Sequence, residues 1–315
     1  GHVNKIPFFL ITGFLGSGKT TLLKRVIKQF SSSYRLGIIQ NEFAQGNVDG
    51  QELKRSGKTF NLLEVNKGSV FCVCLLSSFA HSLSSFINEY QPDMIFLEAS
   101  GLSDPISIGE LLQSKELIDK LYLSYIWTLL DADSFFKIGR TMPRIIHQVR
   151  VADSVVINKT DLDSTNLGVI KNWIKDLNPF CRIEEASYCQ IELMKELQTP
   201  GHEPTAIKRV EEHTVLERGN APNIGSYVIK TSLPISHKSL QSFLMEVIPD
   251  AYRIKGSVKL DTGEMMAVQS SFGRLEMQVL NENMGPTELI GIGPYINAMT
   301  FGRRFREYQK LSAVE

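Results

Sequence analysis

Eight residues near the amino terminus, Gly13-Phe14-Leu15-Gly16-Ser17-Gly18-Lys19-Thr20, restrict this chain more than any other feature of its 315 residues. They fit the pattern G-x-x-x-x-G-K-[ST], and their flanks agree with it. A largely apolar run over 6–12 reads as a buried strand, and 19–30 puts Leu22, Leu23, Val26, Ile27 and Phe30 on one helical face. A strand that enters a glycine-rich loop and leaves it as a helix turns main-chain N–H groups, and the positive end of the helix, toward one point. Phosphate oxygens suit that point. Gly13, Gly16, Ser17, Gly18, Lys19, Thr20 and Thr21 are the candidate contacts, with Lys19 reaching the terminal phosphates and the Thr20 hydroxyl placed to ligate magnesium.

A magnesium ion at Thr20 needs an acidic partner. The apolar strand 94–98 ends in Glu98, and the carboxyl ends of parallel strands border the crevice where open α/β sheets bind ligands. Glu98 is therefore the candidate second metal residue and a candidate catalytic one, the alternative being a solvated carboxylate at a strand end. A further strand, 154–158, leads into Asn158-Lys159-Thr160-Asp161. There Asp161 can accept from the guanine N1–H and exocyclic amine, Lys159 can cover the base, and Asn158 can brace the loop. A carboxylate left without those two donors would be unpaired, so the motif favours GTP over ATP.

Strands at 6–12, 36–40, 94–98, 122–131 and 154–158, interleaved with helices such as 19–30 and 167–177, predict a parallel sheet covered on both faces. The expected fold class is α/β: a P-loop NTPase sheet over 1–198, a polar Pro- and Gly-containing linker over 199–222, and a smaller C-terminal α+β domain over 223–315. In the last, β-rich segments at 227–231, 252–260, 265–269, 276–280 and 289–292 surround a helix at 238–247. Charge adds only exclusions. With 34 basic and 34 acidic residues the chain has no global field to gather nucleic acid or an anionic membrane, so neither partner is expected. Residues 68–88 carry no Asp, Glu, Lys or Arg, yet six serines, His81 and Asn88 dilute them, and Leu75, Leu76, Phe79, Leu83, Phe86 and Ile87 form a helical stripe. That reads as an amphipathic helix preceded by a Cys-bearing loop. The opening residues show no basic region leading to a cleavage site, and four cysteines are too few for a disulfide scaffold, so a reducing, cytoplasmic setting is expected.

Together these residues resemble the CobW-type GTPases, the group that also holds the UreG and HypB metal-insertion proteins. The resemblance rests on 13–23, on Asn41-Glu42-Phe43 as first switch segment, on Glu98-Ala99-Ser100-Gly101 and on Asn158 to Asp161. It extends to Asn178-Pro179 through Ser187, similar to the stretch that closes over guanine, and so implies Ser187 near the base. Arg253-Ile254-Lys255-Gly256 and Gln269 resemble the family's C-terminal domain. The family's implied work is GTP-dependent handling of zinc or cobalt, in part cobalamin-related, for a client metalloprotein or cofactor enzyme. Its hallmark C-x-C-C loop corresponds here to Cys72-Val73-Cys74-Leu75, and its E-N-E-F-G-E switch to Gln40-Asn41-Glu42-Phe43-Ala44-Gln45.

Each departure removes an anionic donor. Zinc takes four ligands from Cys, His and carboxylates, so Cys72 and Cys74 alone leave a structural site incomplete, and Glu42, His81 or water would have to finish it. Two buried structural thiols are the competing reading, and buried or idle thiols the reading for Cys181 and Cys189. Glu42 and Asp49 are candidates for orienting the attacking water or sensing the γ-phosphate. No arginine finger can be assigned, so slow intrinsic hydrolysis is expected. The alternative function is a metal-independent GTP switch that assembles or reactivates a client protein.

Overall fold

The computed structural model describes residues 5–14, 16–41, 61–65, 73–99, 105–138, 143–159, 166–191, 193, 205–206, 225–280 and 285–314. They form two compact units, 1–203 and 204–315. In the first, the chain runs β1 (Ile6–Gly13), α1 (Lys19–Phe30), β2 (Leu36–Asn41), β3 (Asn61–Val65), α2 (Val73–Tyr90), β4 (Met94–Glu98) and α3 (Pro105–Leu112). It continues through β5 (Leu121–Asp131), α4 (Phe135–Ile138), α5 (Pro143–Val151), β6 (Ser154–Asn158), α6 (Leu167–Leu177) and β7 (Arg182–Ala186). The seven strands are all parallel, in the order β3-β2-β4-β1-β5-β6-β7. From β1 the chain crosses to β2 on one side, and from β4 it crosses back over β1 to β5 on the other. The reversal falls between the carboxyl ends of β1 and β4, the position at which open α/β sheets bind their ligands.

Both faces of this sheet are covered, which is why its inner strands read as continuous apolar runs. On one face Phe9, Ile11, Phe96, Trp127, Leu129 and Val156 pack against Leu22, Leu23, Val26 and Ile27 of α1. The rings of Phe9 and Phe96 stack at 4.7 Å and those of Phe9 and Trp127 at 5.9 Å. On the other face, at the β5–β6 side, Leu130, Val155 and Ile157 meet Val149 of α5 and Ile170 and Ile174 of α6. Val155, Val156 and Ile157 thus alternate between two cores, each fully buried. Each such side chain contributes about 1.5–3 kcal/mol by leaving water.

The sequence did not announce β3, β7, α3, α4 or α5. β7, Arg-Ile-Glu-Glu-Ala, is an edge strand whose residues are mostly exposed or half-buried, so it lacks the apolar run that marks its neighbours. Cys74 lies in the first turn of α2, which begins at Val73, rather than in a loop ahead of the helix. Among the described residues no helix is long and apolar enough to cross a membrane.

The second unit is an antiparallel sheet with helices, as its alternating segments predict. β8 (Thr205–Ala206), β9 (Gly225–Thr231), β10 (Arg253–Lys259), β11 (Met265–Ser271), β12 (Arg274–Leu280) and β13 (Thr287–Gly293) lie in the order β8-β12-β11-β10-β13-β9. β8, inside the stretch read from sequence as linker, pairs with Arg274 and Leu275. Ser236 caps α7 (His237–Val247), its hydroxyl accepting from the Ser239 N–H at 3.1 Å. Phe243 of α7 packs its ring against Phe301 and Phe305 at 5.4 and 5.1 Å. Those two come from a wide helical turn, Ala298–Arg303, and from α8 (Arg304–Ser312), which the sequence reading did not anticipate.

Candidate nucleotide site

The site grows from the end of β1. Gly13, Gly16 and Gly18 have φ of 143, 81 and 108, backbone that residues with a Cβ rarely adopt. At Gly13 a Cβ would sit 2.6 Å from the Leu129 carbonyl oxygen, and at Gly18 it would sit 2.3 Å from Asn158 Nδ2. At Gly16 nothing among the described residues lies within 4 Å of that position. The cap residue of α1 is Gly18, and among the described residues no side chain caps that end. Its first N–H groups are therefore presented as an anion site rather than satisfied locally.

Lys19 is 7% exposed, and its Nζ donates to the Gly13 carbonyl at 2.6 Å. Burial lowers its pKa to about 8, with the negative charge of Glu98 partly opposing the shift. The Thr20 hydroxyl donates to Glu98 Oε1 at 2.9 Å, so the two residues assigned to magnesium are in contact across the β1–β4 crevice. The Ser17 hydroxyl is buried and has no hydrogen-bond partner among the described residues. A cradle that holds a desolvated ammonium, an orphaned hydroxyl and uncapped amides fits a polyphosphate with its cation. Thr21 is exposed one residue further along α1.

The carboxyl end of β6 reaches back to this loop. Asn158, 3% exposed, donates through Nδ2 to the Ser17 carbonyl at 3.0 Å and accepts through Oδ1 from the Cys189 N–H at 3.1 Å. Lys159 Nζ donates to the Gly16 carbonyl at 2.7 Å and pairs with Asp131 Oδ2 at 2.8 Å. Asp131 escaped the sequence reading, although it too is an acid at the end of a parallel strand, in register with Asn158. Cys189, read from sequence as a buried or idle thiol, is buried but engaged: its Sγ donates to the Gly18 carbonyl at 3.3 Å. Burial pushes that thiol up to about 11, nearby Arg25 acting against the shift.

Ser187 follows β7 at the same edge, and its carbonyl accepts from the Gln190 N–H. Asn178, at the start of the stretch thought to close over guanine, is instead at the opposite edge. There its amide donates to the carbonyls of Val149, Arg150 and Ala152 and ties the end of α5 to the approach to β7. Glu42, Asp49, Cys72 and Asp161 lie outside the described residues. His81 is exposed on α2, two turns beyond Cys74, farther than the i,i+4 spacing by which one helix presents two ligands to one ion. Among the described residues no three His, Cys, Asp or Glu side chains are grouped to hold a metal.

A parallel sheet with a glycine-rich phosphate cradle at its reversal point, a lysine inside the cradle and a Thr–Glu pair beside it defines a P-loop nucleotide-binding protein. Residues 7–184 match the nucleotide-binding domain of CobW/HypB/UreG, and the chain belongs to that family. Its relatives include the zinc chaperone CobW of a Sinorhizobium species, 29% identical over 198 residues. That match covers 54% of this chain and 55%, about half, of the relative's length. The zinc chaperone YjiA of Escherichia coli K12 is 24% identical over 272 residues, covering 82% of this chain and 83% of YjiA. The crystal structure of Zn(II)-bound YjiA GTPase from E. coli superposes with a TM-score of 0.62 at 18% identity, over 97% of this chain and 99% of that one. The two proteins share a fold.

Proposed function

We propose that this chain binds GTP with magnesium at the carboxyl edge of its N-terminal sheet, hydrolyses it slowly, and uses the cycle to deliver zinc or cobalt to a client metalloprotein or cofactor enzyme. The observation that supports the nucleotide half most directly is Lys19, an ammonium buried beside helix amides and a Ser17 hydroxyl that find no side-chain partner among the described residues. Such an arrangement is unfavourable by itself and becomes favourable around a polyanion. Lys19 would donate to the terminal phosphate oxygens. Thr20 and Glu98 would hold the magnesium ion, which when bound neutralises charge on the phosphates. Asp161 would read the guanine edge, with Lys159 across it and Ser187 near it, and Asn158 would hold both loops. Glu42 or Asp49 would orient the attacking water, and a partner would accelerate the slow intrinsic turnover.

The metal half draws on the relatives, whose names are those of zinc chaperones. Cys72 and Cys74 would supply thiolates to the transported ion, with the first switch segment completing its shell. A cytoplasmic setting fits four cysteines, of which Cys181 and Cys189 are buried and form no disulfide. One observation favours the second reading, a metal-independent GTP switch acting on a client: Leu75 stands where the family has its third cysteine.

Calorimetry with magnesium and GDP, GTP or ATP tests the first half, and guanine preference is the expected result. Zinc titration with a non-hydrolysable GTP analogue present, on the wild type and on Cys74→Ser, tests the second. Weaker zinc binding by the variant supports delivery of a metal; equal binding transfers the assignment to the metal-independent switch.

A further inference from the structure

The turn after β7 adopts a backbone that its residues do not favour. The Gln190 N–H donates to the Ser187 carbonyl at 3.2 Å, and the two residues between them, Tyr188 and Cys189, have φ of 53 and 55. Two successive left-handed residues are the mark of a type I′ turn, whose central positions Gly, Asn and Asp usually occupy. A bulky aromatic there is strained, and such strain persists only where the surroundings over-determine it. Here they do. The Cys189 N–H is held on Asn158 Oδ1, its thiol on the Gly18 carbonyl, and its own carbonyl accepts from the Ile191 N–H at 2.9 Å.

The consequence falls on Tyr188. Cys189 is driven into the core at 0% exposure, while Tyr188 is left 73% exposed, the most exposed aromatic among the described residues. It stands at the carboxyl edge, two residues past Ala186, which pairs in register with Asn158. Its neighbour touches Gly18, the cap residue of α1, and the adjacent strand's Lys159 is already pinned across the phosphate loop by Gly16 and Asp131. A planar purine at this edge needs a flat apolar surface against its face, and a tyrosine ring offers one while its hydroxyl stays in water.

We propose that Tyr188 is the base-stacking residue of the site, its ring forming the aromatic wall against which the purine lies, opposite the methylene stem of Lys159. The strained turn exists to present that ring. This inference rests on reading the edge as a guanine-nucleotide site, and it names a contact that serves affinity for the base rather than for the phosphates.

The test uses the full chain with magnesium and two probes, GDP and inorganic tripolyphosphate, measured by calorimetry on the wild type, Tyr188→Ala and Tyr188→Phe. Loss of a base-stacking ring is expected to weaken GDP binding by about tenfold or more in Tyr188→Ala. Tyr188→Phe should keep the wild-type affinity, and tripolyphosphate should bind all three proteins alike. Unchanged GDP binding by Tyr188→Ala overturns the proposal and leaves the nucleotide site standing. Parallel loss of GDP and tripolyphosphate also overturns it, because the turn would then be acting through the phosphate loop. A wild type that takes tripolyphosphate but gains nothing from guanosine defeats the reading of the edge itself, and the stacking residue with it.

Discussion

Titrating Lys19 in and out of its ammonium form should reveal what the ligand-free cradle costs the protein. Burial lowers its pKa from 10.5 to about 8. At about 1.4 kcal/mol per pH unit, the folded chain carries roughly 3 kcal/mol against stability when the ammonium is forced to stay charged below pH 8. Between about 8 and 10.5 the unfolded chain holds this proton and the folded chain releases it, so stability should rise with pH across that window. Cys189 opposes the rise. Its thiol, raised from 9.0 to about 11, keeps its proton longer in the folded chain, so from pH 9 upward it makes stability fall. The increase from Lys19 is thus cleanest between about 8 and 9 in the wild type, and extends further in Cys189→Ala. A bound polyphosphate should return the ammonium, taking up roughly three quarters of a proton at pH 8.5. Calorimetry in two buffers of different ionisation enthalpy measures that uptake. Lys19→Met should abolish the uptake and bind nucleotide poorly, yet melt at or above the wild-type temperature when ligand-free. Buffer-independent heats at pH 8.5, or a ligand-free Lys19→Met that melts several degrees lower, would refute the reasoning.

Asn158→Ala should strip partners from the buried Ser17 carbonyl and Cys189 N–H, at about 1–3 kcal/mol for each group left unpaired, and lower the thermal midpoint of the N-terminal unit by roughly 5–15 °C in differential scanning calorimetry. Thr20→Val removes the hydroxyl that now rests on Glu98; nucleotide binding in EDTA should be unaffected, while the gain in affinity on adding magnesium should disappear.

The part of this site that the sequence discloses is the part set by local chain geometry. β1, the glycine spacing and the apolar stripe of α1 are short-range patterns, and each appears as read. β7 stayed hidden because an edge strand with Glu184 and Glu185 half-buried or exposed has no apolar run to betray it. The start of α2 was misplaced because no Ser, Thr, Asp or Asn stands as a cap before Val73, so the helix was read as beginning at its first leucines. Asp131 and Cys189 were missed for a different reason. Their roles are pairings with Lys159 and Gly18, 28 and 171 residues away, and no periodicity encodes a partner at that range.

Those distant pairings share one feature that bears on function. The carbonyls of Gly13, Gly16, Ser17 and Gly18 accept respectively from Lys19, Lys159, Asn158 and Cys189, so four main-chain oxygens of the phosphate loop are anchored by side chains, three of them from the ends of β6 and β7. In a planar trans peptide the N–H points opposite to the C=O. Fixing the Ser17 and Gly18 oxygens outward therefore fixes the Gly18 and Lys19 N–H groups inward, before any phosphate arrives. Preorganised donors are what make such a cradle effective. The segment expected to read the base thus also sets the amides expected to read the phosphates, and the two functions should separate by residue. Removing the Tyr188 ring should cost guanosine alone, whereas Asn158→Ala, by releasing the Ser17 carbonyl, should weaken GDP and inorganic tripolyphosphate together.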